Sequence, residues 1–502
     1  MTRFRIRRVY ASLLSISLVI AEISAQQVSI GRIDLMPNTP SPYLMRDWKK
    51  VARGYDSLVF NSALTGQYLP LSKTYMASVN YPGQTSFGLQ SYVGSSLGHG
   101  EGINCMPAVV GASLAGIDKS DQNGMNWVLM CREWFNKANG QNVYLNSASS
   151  STGDDWWYET MPNVFFYQLY SLYPSTPEFA DQCITVADRW LAAINAMGGS
   201  TTPWSLANVH HRAFDLTSMV PNDNGVVEPE AAGAIAWILY QAYVRTGDQR
   251  YRIGAEIAME SLLIYTTNPS YELQLPYGVY VAARMNAEIG TAYDITKILE
   301  WCFPNGDGTL RQWGVTVGNW GGYDCSGLIG EINHSNDYPF FMNTVEQAGA
   351  LVPLVRYDDR YARAIGKWML NAANASRLFY TNFLPDDHQD SEGWGHQFDP
   401  NSTIAHEAMH QFNPTNGTIS PYATGDAIGG GWAPTNYALY GASHVGIFAG
   451  LIDTTNVSMI LRLDLLKTDY VHSAAYPTYL YFNPYGSDTS IVLDVGGGTH
   501  DL

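Results

Sequence analysis

Three pairs of helical runs with matching joints constrain this chain more than any other feature. Apolar residues recur at three and four from Val164 to Tyr173, the chain turns at Pro174, and Glu178-Phe179 opens a second run to Met197. Ala231 to Arg245 ends at Thr246-Gly247-Asp248, and a run from Tyr251 to about Tyr265 follows. Thr344 to Arg356 ends at Tyr357-Asp358-Asp359, and Tyr361 opens a run to about Ala375. Gly, Pro and Asp in the joints mark reversals. Weaker copies flank these: Met106 to Ile117 then Gly124 to Asn136, Tyr277 to Glu288 then Asp294 to Trp301, and Tyr437 to Ile452 then Val457 to Leu466. An earlier helix, Leu44 to Phe60, closes the set or packs outside it. Their spacing is too wide and irregular for a tetratricopeptide array, which repeats at about 34 residues.

This pattern resembles the six-hairpin (α/α) toroid shared by many glycoside hydrolases and several polysaccharide lyases, from Met45 to about Lys467. No single family's motif is matched residue by residue. The resemblance implies an all-α ring of helical hairpins over 26–470, with the longer connections between hairpins gathered on one rim around a cavity. The last stretch, 471–502, reads as a short β segment or the start of a β-domain. There Thr478 to Phe482 and Ser490 to Val495 alternate like strands about Pro484-Tyr485-Gly486.

The N-terminus predicts export. Arg3, Arg5, Arg7 and Arg8 precede an apolar run from Val9 to Ala21, and Ala25 offers a small residue for cleavage, so 1–25 reads as a signal peptide of a secreted protein. Nothing later is long and apolar enough to predict a membrane span. Removing four of the 28 basic and one of the 45 acidic residues takes the net charge from −17 to −20. An acidic surface repels nucleic acid and anionic lipid, which are excluded as partners, and it disfavours a strongly anionic polysaccharide unless a local basic pocket exists. Cys105, Cys131, Cys183, Cys302 and Cys325 allow one or two bridges but no disulfide framework. Sequons at Asn333, Asn374, Asn401, Asn416 and Asn456 are compatible with glycosylation. The 14 Trp and 33 Tyr offer flat faces with polar edges, suited to stacking on sugar rings as well as to filling a core.

Glycoside hydrolysis needs one protonated carboxyl to release the leaving oxygen and one ionised carboxyl to activate water or attack. The loops between hairpins supply the candidates Asp154, Asp155, Glu228, Glu230, Asp324 and Asp426. Each also has a structural reading, as helix cap or turn residue. Trp156, Trp157, His210, His211, Arg212, Trp320, Tyr323 and Trp432 are the candidate substrate contacts. A lyase acting by β-elimination would instead use groups such as His210, His211, Arg212, Tyr323 and Asn319. A non-catalytic glycan-binding protein could use the same aromatic residues. No cofactor is expected, although Ca²⁺ could bind oxygen-rich loops without a visible motif.

Two motifs carry no weight. His406-Glu407-Ala408-Met409-His410 matches the zincin HExxH, but no Glu follows Glu407, the extended pattern fails at Asn413, and Pro414 would break the helix. Leu493-Asp494-Val495-Gly496-Gly497-Gly498-Thr499 resembles a phosphate-binding turn, yet no nucleotide-binding half-domain accompanies it.

Overall fold

The computed structural model describes residues 26–98 and 100–493. The leader at 1–25, His99 and the glycine run from Asp494 onward lie outside the described residues. The helices that build the body are α1 (Trp48–Val59), α2 (Gly102–Leu114), α3 (Trp156–Leu172), α4 (Phe179–Ala196), α5 (Ala231–Thr246) and α6 (Gln249–Leu263). They continue with α7 (Gln274–Ile289), α8 (Ile295–Trp301), α9 (Phe341–Leu351), α10 (Ala362–Ala375) and α11 (Val445–Leu451).

Six of these pack in a closed cycle: α2 on α3, α3 on α5, α5 on α7, α7 on α9, α9 on α11, and α11 back on α2. Burial explains their sequences. All of Ala231–Ala242 in α5 is buried, as is every residue of α2 except Ser113. A helix covered on all sides has no need of a polar stripe. Two of the contacts need glycine: Gly111 of α2 lies against Gly446 of α11, and Gly233 of α5 against Gly278 of α7. The second layer is uneven. α6 covers α5, α4 lies over α3, α5 and α6, α8 covers α7, and α10 flanks α9. Amphipathic α1 packs on α11 and α2 and serves as the outer partner for both.

Several expectations need correction. The outer half of the first hairpin, Gly124 to Asn136, holds only the short turns Trp127–Met130 and Cys131–Trp134. The inner half of the sixth breaks at Ser443-His444 into Leu439–Ala442 and α11. Its outer half is a strand, because Leu461–Asp464 pairs with Ile452–Thr454 on one side and Tyr479–Tyr481 on the other. Thus Tyr479–Tyr481 is a strand as expected, but its partner is not the 490–495 segment, and Ser490 to Leu493 has no strand geometry. The molecule is therefore helical with seven small sheets among the described residues, not purely α. All five cysteines are buried and unpaired, scattered over separate elements, so no bridge forms. Asn374 sits buried in α10, donating to the Pro42 carbonyl and accepting from the Leu44 N–H, so that sequon is closed to a glycan in the folded chain.

A buried polar cluster joins α7 to the segment that follows α9. Asp469 is fully buried and receives the Tyr280 and Tyr357 hydroxyls and the Arg356 guanidinium, with Arg284 3.6 Å away. The N-terminal ends of the inner helices remain open. No helix among the described residues is long and apolar enough to cross a membrane.

Candidate active site

A cavity of about 680 Å³ opens where the inner helices begin. Glu101 is the residue preceding α2, Asp155 is the N-cap of α3, and Tyr271-Glu272 leads into α7. Phe340, Met342 and Asn343 come from the start of α9, and Tyr440 from the short helix leading to α11. Helix N-termini carry unsatisfied N–H groups and a partial positive charge, so carboxylates are tolerated there. Five line the cavity: Glu101, Asp155, Glu272, Glu407 and Asp426. Aromatic rings fill much of the rest, with Trp432 61% and Tyr158 44% exposed.

One wall is built on arginines. Arg212 forks between Asp155 and Glu228, while the Asp155 side chain also accepts the Trp157 N–H at 2.8 Å. Arg311 donates to Glu272 at 2.7 Å and to Glu331 at 2.6 Å. Burial pushes Glu272 up to about 7 against the pull of Arg311, helped by the charges of Asp155 and Glu230. Burial, with Asp155 beside it, pushes Glu228 up to about 9 despite Arg212. Asp155 is also raised by burial, more than Arg212 offsets.

Two further acids hold this wall in shape. Glu230 accepts the N–H groups of Tyr271, Glu272 and Leu275, satisfying the free donors at the start of α7 and fixing Glu272. Glu159 does the same for the loop before α3, taking the N–H of Gly153, Asp154 and Asp155. Both are raised to about 7 by burial, which outweighs these hydrogen bonds.

The other wall is built on tyrosines. Glu407 is buried, and one oxygen accepts the Tyr92 hydroxyl at 2.7 Å and the Tyr440 hydroxyl. Its other oxygen accepts the Asp426 N–H at 2.6 Å. Asp426 is exposed to solvent and receives the Tyr338 hydroxyl at 2.8 Å. Tyr338 stacks on His410, with ring centroids 3.9 Å apart.

Of the candidates from sequence, Asp155, Asp426, Trp157 and Trp432 line the cavity. Arg212, Glu228 and Glu230 stand directly behind it, and Trp156 is wholly buried with its indole N–H on the His211 carbonyl. The rest lie elsewhere. Asp154 is exposed and outside the lining, His210 stacks on Tyr265, and His211 pairs with Asp223 at 2.6 Å. Trp320, Tyr323 and Asp324, with Asn319, form a hairpin that folds outward onto α10, where the Asp324 N–H bonds the Ser41 carbonyl.

Glu101, Glu272, Glu407, Tyr92, Tyr271, Tyr440, Arg311 and Trp313 were outside the candidate set. A signal for two of them was present: Glu101, like Asp155, directly precedes an inner helix, and Glu272 lies two residues before one. Glu407 was visible only within the HExxH match, and that match fails on geometry. Ala408–His410 is a strand, and the His406 ring is spent on the carbonyls of Phe379 and Asp390. Among the described residues no group of three or more His, Cys, Asp or Glu is arranged to hold a metal.

No known protein family and no curated protein matches the chain. Among solved structures, a mutant unsaturated glucuronyl hydrolase from Streptococcus agalactiae is similar over 84% of this chain and 96% of its own, at 11% identity and a TM-score of 0.41.

Proposed function

We propose that this chain is an exported glycoside hydrolase built as an (α/α) six-hairpin toroid, cleaving a glycosidic bond in a polysaccharide or oligosaccharide with paired carboxyl groups. The supporting observation is the cavity itself, where five carboxyls from separate loops meet aromatic rings and hydroxyls. Glu272 is the general acid. Its carboxyl, held up to about 7, keeps a proton for the leaving oxygen near neutral pH. Asp426, open to solvent and steadied by Tyr338, is the partner that takes a proton from water or attacks the sugar. Glu407 touches neither event. It positions Asp426 through the backbone N–H.

Elimination is less well supported. His210, His211 and Tyr323 lie outside the lining, and Arg212 is committed to Asp155 and Glu228. The cavity's own tyrosines point the wrong way for a base, since burial and the Glu407 charge raise both Tyr92 and Tyr440 above the usual phenol range.

The test is turnover of a glycan panel, recording new reducing ends together with the ultraviolet absorbance of a new C=C bond. Reducing ends without absorbance are expected. Glu272→Gln and Asp426→Asn should each lower kcat by about 10²–10⁴-fold. Asp324→Asn, outside the cavity, should keep the wild-type rate. The wild-type rate should fall as pH rises above about 7 and Glu272 loses its proton. Equal turnover by the Glu272 variant would overturn its assignment, and glycan binding without turnover would make the chain a binding protein.

A further inference from the structure

Resting on the hydrolase reading, we infer that the cavity takes a sugar bearing no carboxylate, neutral or amino-substituted, and rejects uronosyl groups. A uronate needs an uncommitted cation or an open cluster of donors at its carboxylate. Among the described lining residues Arg311 is the one Lys, Arg or His, and it is divided between Glu272 and Glu331. Arg212, immediately behind, is divided between Asp155 and Glu228. Each guanidinium is therefore already divided between two carboxyl groups, and recruiting either to a substrate would take it from a partner it now holds. The N-terminal donors of α7 and α3 are also taken. Glu230 holds the start of α7, and the Asp155 and Glu159 carboxyls hold the start of α3 and the loop before it.

What the lining does offer suits hydroxyl groups. The carboxyls accept from O–H, Ser95, Ser96 and Asn343 can give or take hydrogen bonds, and the ring of Trp432, 61% exposed, is available to a sugar face. An ammonium group would meet an excess of acidic groups of opposite sign, whereas a uronate would meet like charge.

The decisive measurement compares sugars that differ only at C6. Aryl glucosides and galactosides would be set against aryl glucuronides and galacturonides, and a uronan against the same polymer after chemical reduction of its carboxyls. Chitosan oligosaccharides would serve as the amino-bearing probe. The inference expects kcat/KM at least about 100-fold higher for the carboxyl-free member of each pair that is cleaved. Equal or preferred hydrolysis of the uronate would overturn the inference and leave the hydrolase reading standing. Cleavage of uronates with ultraviolet absorbance would overturn both. No hydrolysis of any member would remove the hydrolase reading, and the inference with it.

Discussion

Arg212 shows how much one side chain can organise. It comes from a loop that sequence alone associates with sugar contact, yet it stays outside the cavity lining, and its guanidinium joins Asp155 to Glu228. The Glu228 carboxyl is 1% exposed and raised to about 9 by burial, so it holds its proton at neutral pH even beside an arginine. Removing the guanidinium would strand Asp155 at the edge of the cavity. Arg212→Met should therefore destabilise the protein by about 3 kcal/mol, the lower end for a buried pair losing one member, since the guanidinium is 19% exposed. Arg212→Lys should recover only part, because an ammonium cannot reproduce the planar fork. Urea unfolding of the three proteins checks this, and an unchanged midpoint for Arg212→Met would refute it.

At the scale of elements, the closest contacts in the cycle are made by backbones. A methyl group on Gly446 would overlap the carbonyl oxygen of Gly111, and one on Gly233 would fall 3.1 Å from the Gly278 Cα. The first obstacle is backbone inside two buried helices, which no rotamer change can relieve. Gly446→Ala should cost about 3 kcal/mol or more through overpacking, against the gain in helix propensity that alanine normally brings. Calorimetry should show a lower unfolding temperature, whereas Gly247→Ala, at a C-cap with open space around it, would be penalised only for its positive φ of 73°. The helices themselves were legible. The runs at 231–245, 251–265 and 361–375 match α5, α6 and α10 closely, because burial against a neighbour stamps a 3.6-residue period on local sequence, while the run at 164–173 covers only the second half of α3. Val457 to Leu466 misled for the same reason. Leu461, Leu463 and Leu465 are buried at alternate positions, a period-two pattern that a short apolar stretch does not separate from a helix.

For the molecule as a whole, the buried acids make stability depend on pH in an unusual direction. Glu159, Glu230 and Glu272 are held at about 7, Asp399 at about 6 and Glu228 at about 9, all by burial. In the unfolded chain each would titrate near about 4. Between those limits the folded state binds more protons, so stability is greatest below the unfolded values and is lost as pH rises through the folded ones. His410, lowered by burial, opposes this as one group against five. Lys119, lowered to about 8, begins to oppose it only at the alkaline end. The thermal midpoint should therefore fall from pH 5.5 to pH 8, and a flat or rising profile in scanning fluorimetry would contradict the protonation of these carboxyls.

Sequence by itself determined four of the six expected helical hairpins, their approximate order, and the presence of acids and aromatic residues in the connections between them, because period and capping are written within a few residues of one another. It also marked Asp155 and Asp426, though not what they do. Only the tertiary structure decided which connections reach a common cavity. The 319–324 hairpin folds outward onto α10, while Glu407 meets Tyr92 across 315 residues of chain. Such a meeting depends on where helices begin in space, and no local pattern encodes it.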